Sequence, residues 1–217
     1  AQDTVRIRDS VTHPFIASAG EKLLVQGARI IDIFALNHPN SGFFSGGDMV
    51  LRSPNSVFGD AHYTTGRNFR IEQLDSSLGN LESPGDPVIR ASGNVHFNNY
   101  TGASLHIFAG GSVEITGRVT ITGTDATNFI NETVSLSQTL PDGTNTVTIN
   151  GSTRPTLDIR AGTTAVGTPV NVCVGCPLFQ PTNLTFPNTP LTADITINQI
   201  VINRPGGLVF LTNQYQP

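Results

Sequence analysis

Charge is what this chain has least of. Acidic and basic residues fill 13% of its positions, about half the share of an ordinary soluble domain. Lys22 is the single lysine, the eleven arginines are scattered, and the formal net charge is −4. No basic patch is available for a phosphate backbone, so nucleic acid is not an expected partner. Long apolar runs are missing as well. The stretch from Ile30 to Leu36 is broken by Asp32 and falls far short of the roughly 20 residues that cross a bilayer as a helix. A membrane-spanning chain is therefore not expected. The start, Ala1-Gln2-Asp3-Thr4, has no basic and apolar leader, so no uncleaved export signal is expected there. Cysteine is limited to Cys173 and Cys176 in one Cys-Val-Gly-Cys run, too few for a disulfide framework and only half of a zinc site. No window carries an apolar 3.6-residue period, which predicts almost no helix.

What replaces charge is uncharged and polar: 26 Thr, 18 Asn and 15 Ser, with 22 Gly and 14 Pro. Threonine favours extended backbone, while glycine, proline and asparagine supply turns. A repeat organises this vocabulary. A glycine, a short polar step and then apolar-x-apolar recur as Gly20 with Leu23-Leu24-Val25, Gly47 with Met49-Val50-Leu51 and Gly66 with Phe69-Arg70-Ile71. Gly93 with Val95-His96-Phe97 and Gly111 with Val113-Glu114-Ile115 continue it. The pattern resumes as Leu157-Asp158-Ile159, Ile195-Thr196-Ile197 and Leu208-Val209-Phe210.

Side chains alternate across a strand, so the outer members of each triplet share one face. The predicted core is Leu23, Val25, Met49, Leu51, Phe69, Ile71, Val95, Phe97, Val113, Ile115, Leu157, Ile159, Ile195, Ile197, Leu208 and Phe210, stacked as eight rungs. Arg70, His96, Glu114, Asp158 and Thr196 then face outward. Between the rungs lie further strands such as Leu105-His106-Ile107 and Val119-Thr120-Ile121. Coils of this length with several short strands predict an all-β solenoid, a parallel β-helix forming one domain over residues 1–217, rather than a hairpin-built sandwich. Two stretches interrupt it. Residues 124–156 hold two strand-like runs around Pro141-Asp142-Gly143 and predict a protruding hairpin. Residues 163–192 hold Pro169, Pro177, Pro181, Pro187, Pro190 and both cysteines, and predict a long Pro-rich loop. A redox Cys-x-x-Cys belongs at a helix start, so a local disulfide between Cys173 and Cys176 is the expectation.

The run Ser104-Leu-His-Ile-Phe-Ala-Gly-Gly-Ser-Val-Glu-Ile-Thr-Gly117 resembles the repeat of filamentous-haemagglutinin-type exoproteins exported by two-partner secretion. Ser45-Gly-Gly-Asp-Met-Val-Leu-Arg-Ser53, Gly59-Asp-Ala-His-Tyr63, Asn68-Phe-Arg-Ile-Glu-Gln-Leu74, Thr156-Leu-Asp-Ile-Arg-Ala-Gly162 and Gly206-Gly-Leu-Val-Phe-Leu-Thr-Asn-Gln-Tyr215 are similar to segments of large cyanobacterial members. The resemblance covers residues 11–217. It implies a right-handed β-helix, a secreted or outer-surface location and a role in attachment or scaffolding, with no catalytic residues or cofactor. The amino-terminal secretion domain of that family is not found in the sequence.

Three constellations have chemical potential. Asp60 and His62 set a carboxylate near an imidazole, but with no third group beside them a corner turn, with Asp60 bonding its own backbone, is the expectation. Asp32, Asp48, Glu72, Asp75, Glu82 and Asp86 lack calcium-ligand spacing. Arg70, His96 and Glu114 occupy the middle of three successive triplets, where a β-helix polysaccharide lyase or hydrolase would place its groups; an exposed charge ladder is the plainer expectation. Tyr63, Tyr100 and Tyr215 are compatible with a glycan-binding module. The sequence thus predicts a non-enzymatic structural or adhesive rod, with a carbohydrate-active β-helix as the alternative. Thr4 to Arg8 is a candidate lid for one end. The expected partner is a second copy or the remainder of a longer exoprotein, with surface glycans as further candidates.

Overall fold

The computed structural model describes residues 1–125, 147–163 and 192–215, together with the short strand 134–136; for 134–136 and 147–148 only the backbone is described. Among the described residues there is no helix, and hence none long and apolar enough to cross a membrane. The chain winds as a parallel β-helix. Its first coil runs through β1 (Thr4–Arg8), β2 (Ile16–Ala19) and β3 (Leu23–Gln26), and its second through β4 (Ile30–Phe34), β5 (Gly42–Ser45) and β6 (Met49–Arg52). The third comprises β7 (Val57–Asp60), β8 (His62–Thr65) and β9 (Phe69–Glu72), and the fourth β10 (Leu81–Ser83), β11 (Val88–Ala91) and β12 (Val95–Phe97). Then follow β13 (Tyr100–Gly102), β14 (Leu105–Ala109), β15 (Val113–Ile121), β16 (Val134–Leu136), β17 (Val147–Ile149), β18 (Thr156–Ala161), β19 (Ile195–Ile202) and β20 (Leu208–Asn213).

Each coil contributes one strand to each of three faces. The first face stacks β1, β4, β7, β10, β13 and the second half of β15; the third stacks β3, β6, β9, β12 and the first half of β15. Because β15 runs unbroken round one corner, with an irregularity in its pairing to β19 between Ile115 and Arg118, these two faces join into one 11-stranded sheet. The second face is a separate sheet of β2, β5, β8, β11, β14, β18 and β20. The pairing along all three faces is parallel; β16 and β17, inside residues 124–156, pair antiparallel.

Leu23, Met49, Phe69, Val95, Val113 and Ile195 stack in direct register on the third face; along the same inner side Val25, Leu51 and Ile71 are in register, as are Phe97, Ile115 and Ile197. The middle coils of this set are fully buried, whereas Leu23, Val25, Ile195 and Ile197 are half-buried because they belong to the end coils. The core is not purely aliphatic. Phe15, Phe43, Tyr63 and Phe69 form a chain of tilted ring contacts with centroids 5.2, 5.4 and 5.2 Å apart. Tyr63 and Tyr100 lie in this interior rather than on a surface, their hydroxyls donating to the Gly59 carbonyl (3.0 Å) and the Ala103 carbonyl (2.8 Å).

Three expectations change. Leu157 and Ile159 do not follow Val113 and Ile115; they stack on Leu105 and Ile107 in the second sheet. The row of eight is therefore six rungs on one face plus two on another. In the last of these, Leu208 and Phe210 are not the inward pair: Phe210 stands opposite outward Asp158, while Val209 and Leu211 continue the line of Leu157 and Ile159. The chain enters that coil one residue out of phase with the triplet pattern, and a one-residue slip exchanges the faces of a strand. Finally, Thr4 to Arg8 is no lid but the first rung, pairing with Ile30 to Phe34. Most of the Pro-rich segment, with Cys173 and Cys176, lies outside the described residues.

Amide ladders clamp the corners. Between the second and third faces, Asp48 Oδ1 accepts from the Asn68 backbone N–H (3.2 Å) and side-chain amide (3.0 Å). Asn68 Oδ1 in turn accepts from Asn94 N (2.9 Å), and Asn94 Oδ1 from Ser112 N (2.8 Å). The repeat glycines explain themselves here. A Cβ on Gly93 would run into Asn68 Oδ1, and one on Gly111 into Asn94 Oδ1. Each glycine leaves room for the side chain that satisfies the next coil's orphan N–H.

Candidate functional site

Arg70, His96 and Glu114 do stack, in register on β9, β12 and β15. Arg70 Nε donates to Glu72 Oε1 (2.9 Å), and Arg70 Nη1 lies 3.1 Å from His96 Nδ1. Arg52 reaches the other oxygen of Glu72 at 2.7 Å. Burial pulls the Glu72 carboxyl upward, but these two guanidiniums overcome it and hold the group below the usual carboxylate range. The His96 imidazole is depressed by burial and by the Arg70 charge, against an opposing pull from Glu114. The row is thus a neutral histidine beside an arginine already committed to a carboxylate, an arrangement that stitches coils together.

The densest titratable cluster lies elsewhere, on the outer side of the second sheet. Register sets His106 on β14 against Asp158 on β18 and Phe210 on β20; the neighbouring row runs Thr64, Arg90, Phe108, Arg160. Although these positions face outward, Thr64, Arg90, Phe108, Asp158 and Arg160 are buried. His106 Nδ1 is 3.3 Å from Asp158 Oδ2 and its Nε2 3.6 Å from Asp125 Oδ2, while Arg160 Nη2 donates to Asp158 Oδ2 at 2.8 Å. The Arg160 guanidinium lies over the Phe108 ring at 4.7 Å, and Arg90 is 5.6 Å from the same ring. Burial works to lower the His106 pKa, yet hydrogen bonds and charges of Asp125 and Asp158 raise it to about 10. A histidine so held stays protonated near neutrality and is an ion-pair partner rather than a general base.

Asp60 and His62, neighbours in sequence, part company. Asp60 closes β7 and accepts from the Ser83 hydroxyl and from Gly85 N (2.8 Å) of the next coil, not from its own backbone; burial raises its pKa. His62 Nε2 faces Asp86 Oδ2 at 3.6 Å. The other carboxylates are dispersed: Asp32 pairs with Arg6 and Arg8, Asp48 starts the amide ladder and Asp75 caps the turn to Ser77. Among the described residues no three His, Cys, Asp or Glu side chains converge in the manner of a metal site.

Among the described residues two surfaces stand out as open to a partner. One is a groove of about 510 Å³ along the outer side of the first face, walled at the corner by Asn80, Asn99, Arg118 and Gln199 and floored by Glu82, Thr101 and Thr120. The other is the pair of end coils. At one end Val5, Ile7, Phe15, Leu23 and Val25 remain partly exposed; at the other Ile195, Ile197, Ile200 and Ile202 do, with Val209 45% and Leu211 42% exposed. The chain matches no protein-family model, no curated protein and no solved structure.

Proposed function

We propose that this chain is a non-enzymatic rod segment of an extracellular or cell-surface structure, and that its end coils stack on the end coils of a second copy. The observation that carries this reading is the open core at both ends. A coil inside the rod has an apolar layer above and below it. The terminal coils have one on a single side, and no described residue caps the other. Among the described residues each leaves unpaired strand edges and partly exposed aliphatic side chains, the edge hazard that solenoids ordinarily block. Fully burying a Val or Leu is worth about 1.5–3 kcal/mol, so a half-exposed layer of such residues at each end provides a driving force. The two ends present different strands, so contact between copies is head to tail and extends into a filament unless its rotation closes a ring. The resemblance to exported haemagglutinin-type exoproteins supports the same reading and is the reason for proposing that location.

Sedimentation of the isolated chain over a wide concentration range tests the proposal. Mass rising with concentration, and reverting to monomer in a Val209→Lys, Leu211→Lys variant, is the expected result. A strict monomer with well-protected amides from Leu208 to Leu211 overturns it.

A further inference from the structure

We propose that the groove on the outer side of the first face binds an uncharged glycan chain laid along the axis of the β-helix. This site is independent of the end coils. Glu82 on β10, Thr101 on β13 and Thr120 on β15 lie in strict register, so they offer polar groups at the inter-strand spacing of about 4.8 Å. Phe58 on β7 extends the same line by one coil, opposite Glu82, and is 38% exposed. An extended pyranose chain repeats at a comparable distance, presents hydroxyls along its edges and offers flat C–H faces to an aromatic plate.

The hydrogen-bond pattern points to a ligand. The corner asparagines here bond between coils as they do elsewhere on the rod, and the strand positions beside them are left open. In the groove, Glu82, Thr101 and Thr120 make no side-chain hydrogen bond or ion pair among the described residues. Asn80 Oδ1 is saturated, accepting from the side-chain amides of Asn98 and Asn99 (both 3.0 Å) and from Asn99 N (3.3 Å), which leaves its own amide N–H groups for a partner. Arg118 spends Nε on Gln199 Oε1 (2.7 Å) and keeps its terminal nitrogens. The groove therefore offers donors and acceptors together, as hydroxyl recognition requires. Its one acid and one guanidinium cancel, so nothing in it favours a polyanion over a neutral chain. An exposed phenylalanine in line with such a row completes a common pattern of small-molecule sites, a few convergent polar groups beside an apolar surface.

Titration calorimetry on the full chain with cellohexaose, chitohexaose and mannohexaose, and with hexagalacturonate as the charged comparator, tests the assignment. At least one neutral hexasaccharide is expected to bind with a submillimolar Kd. Phe58→Ala and Thr101→Arg, both at exposed positions, should each weaken binding about tenfold or more, equivalent to about 1.4 kcal/mol, with unchanged thermal unfolding. Thr196→Arg, on the outer side of the third face, should leave it intact. The proposal fails if no neutral hexasaccharide binds at millimolar concentration, if hexagalacturonate binds more tightly than all three, or if binding survives Thr101→Arg. None of these outcomes depends on the oligomeric state.

Discussion

His106 and Asp158 stand 52 residues apart in sequence and 3.3 Å apart in space, joined across adjacent strands on the outer side of a sheet. Asp158 also carries Arg160, so one fully buried carboxylate serves two cationic side chains. Removing a partner from a buried ion pair strands charge in a poorly solvated place and typically costs about 3–5 kcal/mol. Asp158→Ala is expected to fall in that range by denaturant unfolding. A loss below about 1 kcal/mol would put the pair in the class of surface salt bridges.

The same cluster dictates a pH dependence. His106 titrates at about 10 in the folded chain against 6.5 when free. Its contribution is therefore complete below pH 6.5 and is lost as pH rises toward 10. Burial raises the Asp125 carboxyl and the charge of Asp86 adds to this, against the opposing pull of His106. The stability difference between the native chain and His106→Gln should be largest near pH 6.5 and shrink toward pH 10. Urea titrations across that interval check it, and a constant difference would mean that the imidazole is not charged in the fold.

Inward and outward positions on the third face should differ sharply. Phe97 is fully buried in the core, in register with Ile115, so Phe97→Asp places an unpaired carboxylate in a narrow apolar core and should cost at least about 4 kcal/mol. Glu114 makes no side-chain hydrogen bond or ion pair among the described residues, and Glu114→Gln should change stability by less than about 0.5 kcal/mol. Thermal and chemical unfolding of the two variants decide this, and comparable losses would reverse the assignment of the faces.

The third face was legible because its triplets recur close together, each after a glycine, and period-two alternation separates Val95 and Phe97 from His96 without any knowledge of neighbours. The second face was not. Its strands β5, β8 and β11 mix Phe, Thr, Tyr and Arg in almost continuously buried runs, so no clean alternation marks them. The stretch between β14 and β18 hides that Leu105-His106-Ile107-Phe108 and Leu157-Asp158-Ile159-Arg160 repeat the same in-out pattern. That paired pattern was the available signal for the His106 cluster. The groove had none, since Glu82, Thr101 and Thr120 become neighbours only once the unequal coil lengths are placed in register.

The corner ladder gives the sharpest test of why the repeat begins with glycine. Asn94 Oδ1 accepts the Ser112 N–H, and the space it occupies is the space a Cβ on Gly111 would need. Asn94→Ala leaves that N–H without its acceptor, a loss of about 1–3 kcal/mol if the group stays buried. Gly111→Ala forces the Asn94 side chain aside and so breaks the same bond, adding strain of similar size. The two changes share one cause. In an Asn94→Ala background the main obstacle to a methyl group at position 111 has been removed, leaving a tight contact with the Gly93 backbone at 3.1 Å that a small shift relieves. The double variant should therefore lose less than the sum of the singles, with a coupling of about 1 kcal/mol or more in a double-mutant cycle. Strict additivity would show that the glycine is required by its own backbone rather than by the asparagine of the coil beneath it.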